Sequence, residues 1–298
     1  MCKWATAGLR APIAADGLEF RRRSGQPAAM RVDTHVHLFD PARFPFAAGA
    51  AYTPPPHELG TVEQFLAVLD AHGVSHAVIV NPLAGYGTDN RCTLDALARA
   101  GGRLKGIALV ADDVADAELD RLVAGGMAGI RLDLMGRGAG YLRAAGTRLI
   151  ARMRERGLVT QIQCEGDQLA EVGDVLRATT GTVIVDHGGR PVPERGLDQP
   201  GFARLLGLAD RENVVVKLSG PFRFAPRFPY AEADPFMRAL VAAFGPARCL
   251  WGSDWPFIRM DHRIDYGLAL AMLARWVPDE KDRESVLWHT PARVFGFR

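Results

Sequence analysis

Eight short runs rich in β-branched and aliphatic residues recur along this chain, each followed by a turn and a stretch of helical periodicity. They cover 31–38, 77–82, 104–110, 128–134, 158–164, 182–187, 214–219 and 249–254. Such alternation requires a parallel sheet, because each helix carries the chain back to begin the next strand beside the last. Eight units after residue 30 match the usual size of a (β/α)8 TIM barrel, and no Gly/Pro-rich linker divides them. The expected organisation is therefore a short N-terminal extension over 1–30 and one barrel domain over 31–298. An open doubly wound sheet is the competing fold, but no GxGxxG follows the first run.

The intervening segments carry helix punctuation. Thr61 opens one in which Val62, Phe65, Leu66 and Leu69 share a stripe, and Thr61 with Gln64 forms a capping-box pattern. Gly73 is placed to stop it. The segment 114–123 repeats the scheme with Val114, Leu119, Leu122 and Val123 before Gly125 and Gly126, and Ile150, Met153 and Gly157 close the next unit. Leu268, Met272 and Trp276 either cover the barrel or meet a second copy of the chain; their stripe favours the core, and a homo-oligomer stays open.

The net charge of +2 excludes some partners. Much of the positive excess (Lys3, Arg10, Arg21, Arg22, Arg23) lies before residue 31, so the body offers no broad basic field for nucleic acid. No apolar stretch approaches the roughly 20 residues that span a bilayer, so no membrane partner is expected. Cys2, Cys92, Cys164 and Cys249 are scattered without a CxxC pair, which points to thiols in a reducing cytoplasm.

In a barrel of this kind the chemistry gathers at the carboxyl ends of the strands. The residues closing the runs are His35 and His37, Asn81, Arg131 and Asp133, Gln163 and Glu165, His187, Ser219 and Asp254. Alternation sends Asp33, His35 and His37 to one strand face. A single imidazole or carboxylate at a strand end is ordinarily a satisfied core group or a helix cap. Three imidazoles and a carboxylate at the same end of three strands make a candidate centre. Arg131 interrupts an apolar run at mid-strand, where an unpaired guanidinium is costly, so Asp133, Glu165 or a bound anion is expected beside it. Arg137 and Arg223 fall just past strands at the same rim, and guanidinium forks grip carboxylates bidentately. The set points to hydrolysis of a carboxylated small molecule.

The stretches Asp33-Thr34-His35-Val36-His37, Asp186-His187-Gly188-Gly189-Arg190-Pro191 and Trp251-Gly252-Ser253-Asp254-Trp255-Pro256, with Phe44-Pro45-Phe46 and Tyr52-Thr53-Pro54, resemble the second amidohydrolase family, in its 2-pyrone-4,6-dicarboxylate lactonase-like branch. The likeness spans 31–298. It implies that His35, His37 and His187 are catalytic histidines, Asp254 the final-strand aspartate, Arg131, Arg137 and Arg223 the grips for substrate carboxylates, and Tyr52 a hydroxyl near the substrate. The sequence departs from the branch at Gln163, where a Tyr is usual, at the longer loop 84–90, and at Phe257, where a His is usual. Gln163 is accordingly expected to contact substrate.

His35, His37 and Asp254 are suited by type to hold zinc with a bound water. Metal-dependent relatives add a fifth-strand His or a carboxylated fourth-strand Lys, and here those strands offer Gln163 and Arg131. The expectation is a metal-independent site with no cofactor, zinc being the alternative. Asp254 then draws a proton from water, the three histidines donate hydrogen bonds to the oxyanion, and the partner is a small anionic lactone. The rivals are a sugar-acid lactonase or galactarolactone isomerase of the same branch, and a barrel that binds an anionic metabolite without catalysis.

Overall fold

The computed structural model describes residues 30–298, so the extension expected over 1–30 lies, Met30 aside, outside the described residues. All eight runs are strands: β1 (Val32–Val36), β2 (His76–Val80), β3 (Leu104–Ala108), β4 (Met127–Asp133), β5 (Val159–Gln163), β6 (Val183–Val185), β7 (Val214–Ser219) and β8 (Cys249–Gly252). They pair in parallel in chain order. The seam between β8 and β1 closes through Asp254 N–H to the His35 carbonyl and His37 N–H to the Trp255 carbonyl, each 2.8 Å. Gly252 permits that approach, since a Cβ there would sit 2.6 Å from the Cβ of His35.

The principal helix between each strand and the next, and after the last, is α1 (Val62–His72), α2 (Arg91–Arg99), α3 (Asp116–Ala124), α4 (Thr147–Glu155), α5 (Gln168–Ala178), α6 (Pro200–Gly207), α7 (Asp234–Phe244) and α8 (Tyr266–Trp276). Thr61 and Gln64 form the reciprocal capping box at the head of α1, and Gly73 ends it in a left-handed turn at φ 64°. Helix α3 begins two residues after Val114, because Ala115 is extended and Asp116 and Glu118 supply the acidic first turn that the helix dipole favours. Met272 and Trp276 are buried on the barrel, as their stripe indicated, whereas Leu268 is exposed. No described helix is long and apolar enough to cross a membrane.

Two apolar layers hold the barrel. Side chains of Val32, Val80, Ile107, Val159, Ile184, Val215 and Leu250 fill its inside, and Phe295 and Phe297 from the end of the chain join the same cluster. Outward-facing strand residues such as Val36, Ile79, Ile130 and Leu218 pack under the helices. This apolar floor leaves the opposite, carboxyl end of the barrel for polar groups.

Candidate active site

The two histidines of β1 reach the barrel mouth through a slip in strand phase. Val32 belongs to the inner cluster and Val36 to the outer, although strict alternation would put both on one side. The register shift between Asp33 and Val36 resolves this. It also corrects the expectation that Asp33 shares a face with the histidines. Its carboxylate turns away, accepting from Tyr266 Oη of α8 at 3.0 Å and from the backbone N–H groups of Ser253 and His35.

Asp254 is the hub. Its Oδ2 accepts from Arg223 Nε at 2.6 Å, while Oδ1 lies 3.4 Å from His37 Nε2 and 3.8 Å from His35 Nε2. His187 Nε2 stands 3.9 Å from Oδ2, its Nδ1 held 2.9 Å from Ser219 Oγ. Burial alone would raise the Asp254 carboxyl, but the Arg223 guanidinium beside it holds it well below the usual carboxylate range. Asp254 is thus ionised at neutral pH. Burial pushes His187 well down and takes His35, with help from the Lys217 ammonium, to about 3. Both rings are therefore neutral.

His37 Nδ1 sits 2.7 Å from the Val80 carbonyl, which can only accept, so that nitrogen carries the proton. Its other nitrogen, Nε2, faces Asp254 Oδ1 at 3.4 Å.

Beneath the histidines lies a polar layer that strand-end reasoning missed. Lys217, Gln161 and Asp186 are fully or almost fully buried inside the barrel. Lys217 Nζ lies 2.8 Å from Gln161 Oε1, 3.2 Å from Asp186 Oδ1 and 3.2 Å from His35 Nδ1. Gln161 Nε2 donates to Asp186 Oδ2 at 2.8 Å. Burial would raise the Asp186 carboxyl, but the Lys217 ammonium and the Arg131 guanidinium hold it well below the usual range. The signal was in the sequence: Lys217 interrupts an apolar β7 as Arg131 interrupts β4.

The protein anion beside Arg131 is neither Asp133 nor Glu165 but Asp186. Arg131 Nε is 3.7 Å from Asp186 Oδ2, and Nη2 donates to Gln163. Asp133 instead caps the turn that follows, accepting from Met135 and Gly136 N–H, and Glu165 is exposed. Arg131 still keeps two buried nitrogens, Nε and Nη1, without a hydrogen-bond partner, and Arg190 keeps Nε. Burial first, then Arg223, pushes the Arg190 guanidinium down to about 10, still protonated at neutral pH.

These groups surround one cavity of about 160 Å³ in the barrel mouth. His37, Tyr52, Arg131, Gln163, His187, Arg223 and Asp254 all line it, and His35 lies directly below. Arg190 and Arg259 join them although the sequence reading gave neither a role. Arg259 stacks over the Tyr52 ring at 4.4 Å, and the buried Glu58 ties the pair together by accepting from Tyr52 Oη and Arg259 N–H. Arg137 is not brought in. It forks onto Asp112, stacks on Tyr141 and lines a neighbouring cleft. That exposed ion pair satisfies the guanidinium without a ligand.

One donor atom each from His35, His37 and Asp254 falls within a 4.8 Å span, a separation that could hold a metal ion. The His35 Nε2 and Asp254 Oδ1 atoms are buried and without hydrogen-bond partners. Against this stand the Arg223 Nε–H on Asp254 and the Lys217 ammonium on His35.

A sequence-family model described as amidohydrolase matches residues 32–297, nearly the whole described chain. The chain belongs to the amidohydrolase family. This amidohydrolase is 33% identical over 277 residues to a 2-pyrone-4,6-dicarboxylate hydrolase of Comamonas testosteroni, 89% of each chain being covered. It is 35% identical over 274 residues to a 4-sulfomuconolactone hydrolase of Rhizobium radiobacter, with 89% of each again covered. A crystal structure from Acinetobacter baumannii, described as a "probable 2-pyrone-4,6-dicarboxylic acid hydrolase" with citric acid bound, matches with TM-score 0.80 at 28% identity. The match covers 90% of this amidohydrolase and 99% of that chain.

Proposed function

We propose that this amidohydrolase is a lactonase that opens a ring bearing anionic groups, 2-pyrone-4,6-dicarboxylate or a close analogue, without a bound metal. The observation that carries the reading is the pairing of an ionised, buried Asp254 with a cavity whose Arg131 and Arg190 hold guanidinium nitrogens in want of partners. A buried cation with unspent donors is costly in the free protein and becomes favourable when an anion arrives. The related hydrolases act, by name, on a dicarboxylate and a sulfonated lactone, and the Acinetobacter structure holds a tricarboxylic acid.

The residues divide the work. A water entering the cavity beside Asp254 donates to its carboxylate, which turns a water lone pair toward the lactone carbonyl. Asp254 takes the proton as the oxygen–carbon bond forms. Hydrogen bonds from His35 and His187 and the nearby guanidinium charge stabilise the oxyanion. The ring carbon–oxygen bond then breaks, and the departing enolate oxygen takes the proton that Asp254 received, which returns the base to its ionised form. An enol is a good leaving group, so the step needs less electrophilic help than amide cleavage. A cytoplasmic setting agrees with Cys92, Cys164 and Cys249, which are buried free thiols.

The test is a substrate panel run on protein treated with chelator and assayed for metal. Loss of pyrone absorbance at an undiminished rate with no ion bound is the expected outcome. Ring opening of a sugar lactone alone, interconversion without release of acid, or an activity that returns only with zinc would each overturn it.

The Asp254 carboxyl, held low in the folded protein, is the charged form above its ordinary value near 3.8 and is lost only as pH falls below that. A ¹³C titration of Asp254 should show no inflection between about pH 4.5 and 8. An inflection near pH 6 would remove it as an ionised base at neutrality.

A further inference from the structure

Lys217 is absent from the mechanism above, yet it is fully buried and touches a catalytic histidine. An ammonium has three N–H donors and no acceptor. Lys217 Nζ has Gln161 Oε1 at 2.8 Å and His35 Nδ1 at 3.2 Å within hydrogen-bond reach, and Asp186 Oδ1 stands 3.2 Å away as its ion-pair partner. The Gln161 amide is fixed in the orientation this needs, because its nitrogen donates to Asp186 Oδ2. An ammonium can only donate, so its 3.2 Å contact with His35 Nδ1 is a hydrogen bond when that nitrogen is bare.

We infer that Lys217 is a positioning residue that locks His35 in the Nε2–H tautomer. This deepens the lactonase reading and rests on it for the use made of the proton. The consequence is a division of labour within the His-Val-His pair. His37 gives its Nδ1–H to the Val80 carbonyl, while His35 shows the cavity a proton. The Nε2 of His35, buried and without a protein partner, is then the donor aimed at the space beside Asp254. A divalent ion needs lone pairs from both rings, so the ammonium under His35 opposes filling the His35, His37, Asp254 set with metal. Gln161 and Asp186 hold the lysine in place, which gives a function to a buried polar layer that packing alone does not explain.

Histidine ¹⁵N chemical shifts read the tautomer without substrate. The full chain labelled at its histidines, with the His35 signals assigned by their loss in His35→Asn, should show Nδ1 unprotonated and Nε2 as N–H at pH 7. An Nδ1–H ring or an imidazolium would overturn the proposal. In Lys217→Met the carboxylate Asp186 Oδ1, 3.4 Å from His35 Nδ1, becomes the only charged partner there, so the proton should move to Nδ1. Lactone turnover should fall about tenfold or more with KM held within about threefold, the split expected for a lost transition-state donor. A folded Lys217→Met protein with the His35 tautomer unchanged would also overturn it. Should that variant not fold, the spectrum of the unsubstituted protein still decides. A correct tautomer in a protein that opens no lactone would sink the proposed function and leave this assignment standing.

Discussion

Asp254→Asn is expected to lower kcat by about three orders of magnitude, the middle of the range for removal of a general base. Asn is isosteric, and its amide oxygen still accepts from Arg223 Nε, so the loop and the guanidinium keep their places. What disappears is the negative charge that receives the proton of water. Calorimetry with the dicarboxylate lactone should therefore report affinity within a few-fold of the unsubstituted protein, or tighter, since one repulsive charge has gone. Turnover retained within tenfold would assign the base elsewhere.

Arg131→Met should separate binding from chemistry in the opposite direction. Removing a buried cation from its anionic partner costs roughly 2–5 kcal/mol, so KM should rise on the order of a hundredfold while kcat changes by less than about tenfold. The free protein should not suffer in proportion. Asp186 keeps Lys217 and Gln161 when Arg131 is gone, and the two unpartnered guanidinium nitrogens no longer have to be buried. Thermal unfolding of the variant within a few degrees of the parent, combined with lost affinity, is the signature of a residue kept for ligand rather than fold. A collapse in stability without a change in KM would mark Arg131 as structural.

The fold was legible because the barrel repeats one period eight times, and every run rich in β-branched residues is a strand. Boundaries were clearest where capping chemistry is local, as at Thr61 and Gly73. Run six is shorter than read, since His187 and Gly188 adopt left-handed backbone and end the strand at Val185. The candidate residues converge because barrel topology brings strand ends together whatever their distance in sequence. Strand alternation gave the wrong face for Asp33, because a register shift in β1 is invisible to a period of two. Arg137 lies in its expected place along the chain but is claimed by Asp112, a tertiary contact that no local pattern announces. Lys217 and Gln161 were passed over because attention to strand ends overlooks the layer beneath, where one ammonium meets Gln161, Asp186 and His35.

The ring of guanidinium groups at the mouth has a kinetic consequence. Opening a lactone frees a new carboxylate, so the ligand leaves the reaction with one more negative charge than it brought. Arg131, Arg190, Arg223 and Arg259 cannot tell the anions of the reactant from those of the opened acid, and they hold the more highly charged species harder. The same electrostatics that would gather an anionic lactone therefore oppose its departure as product.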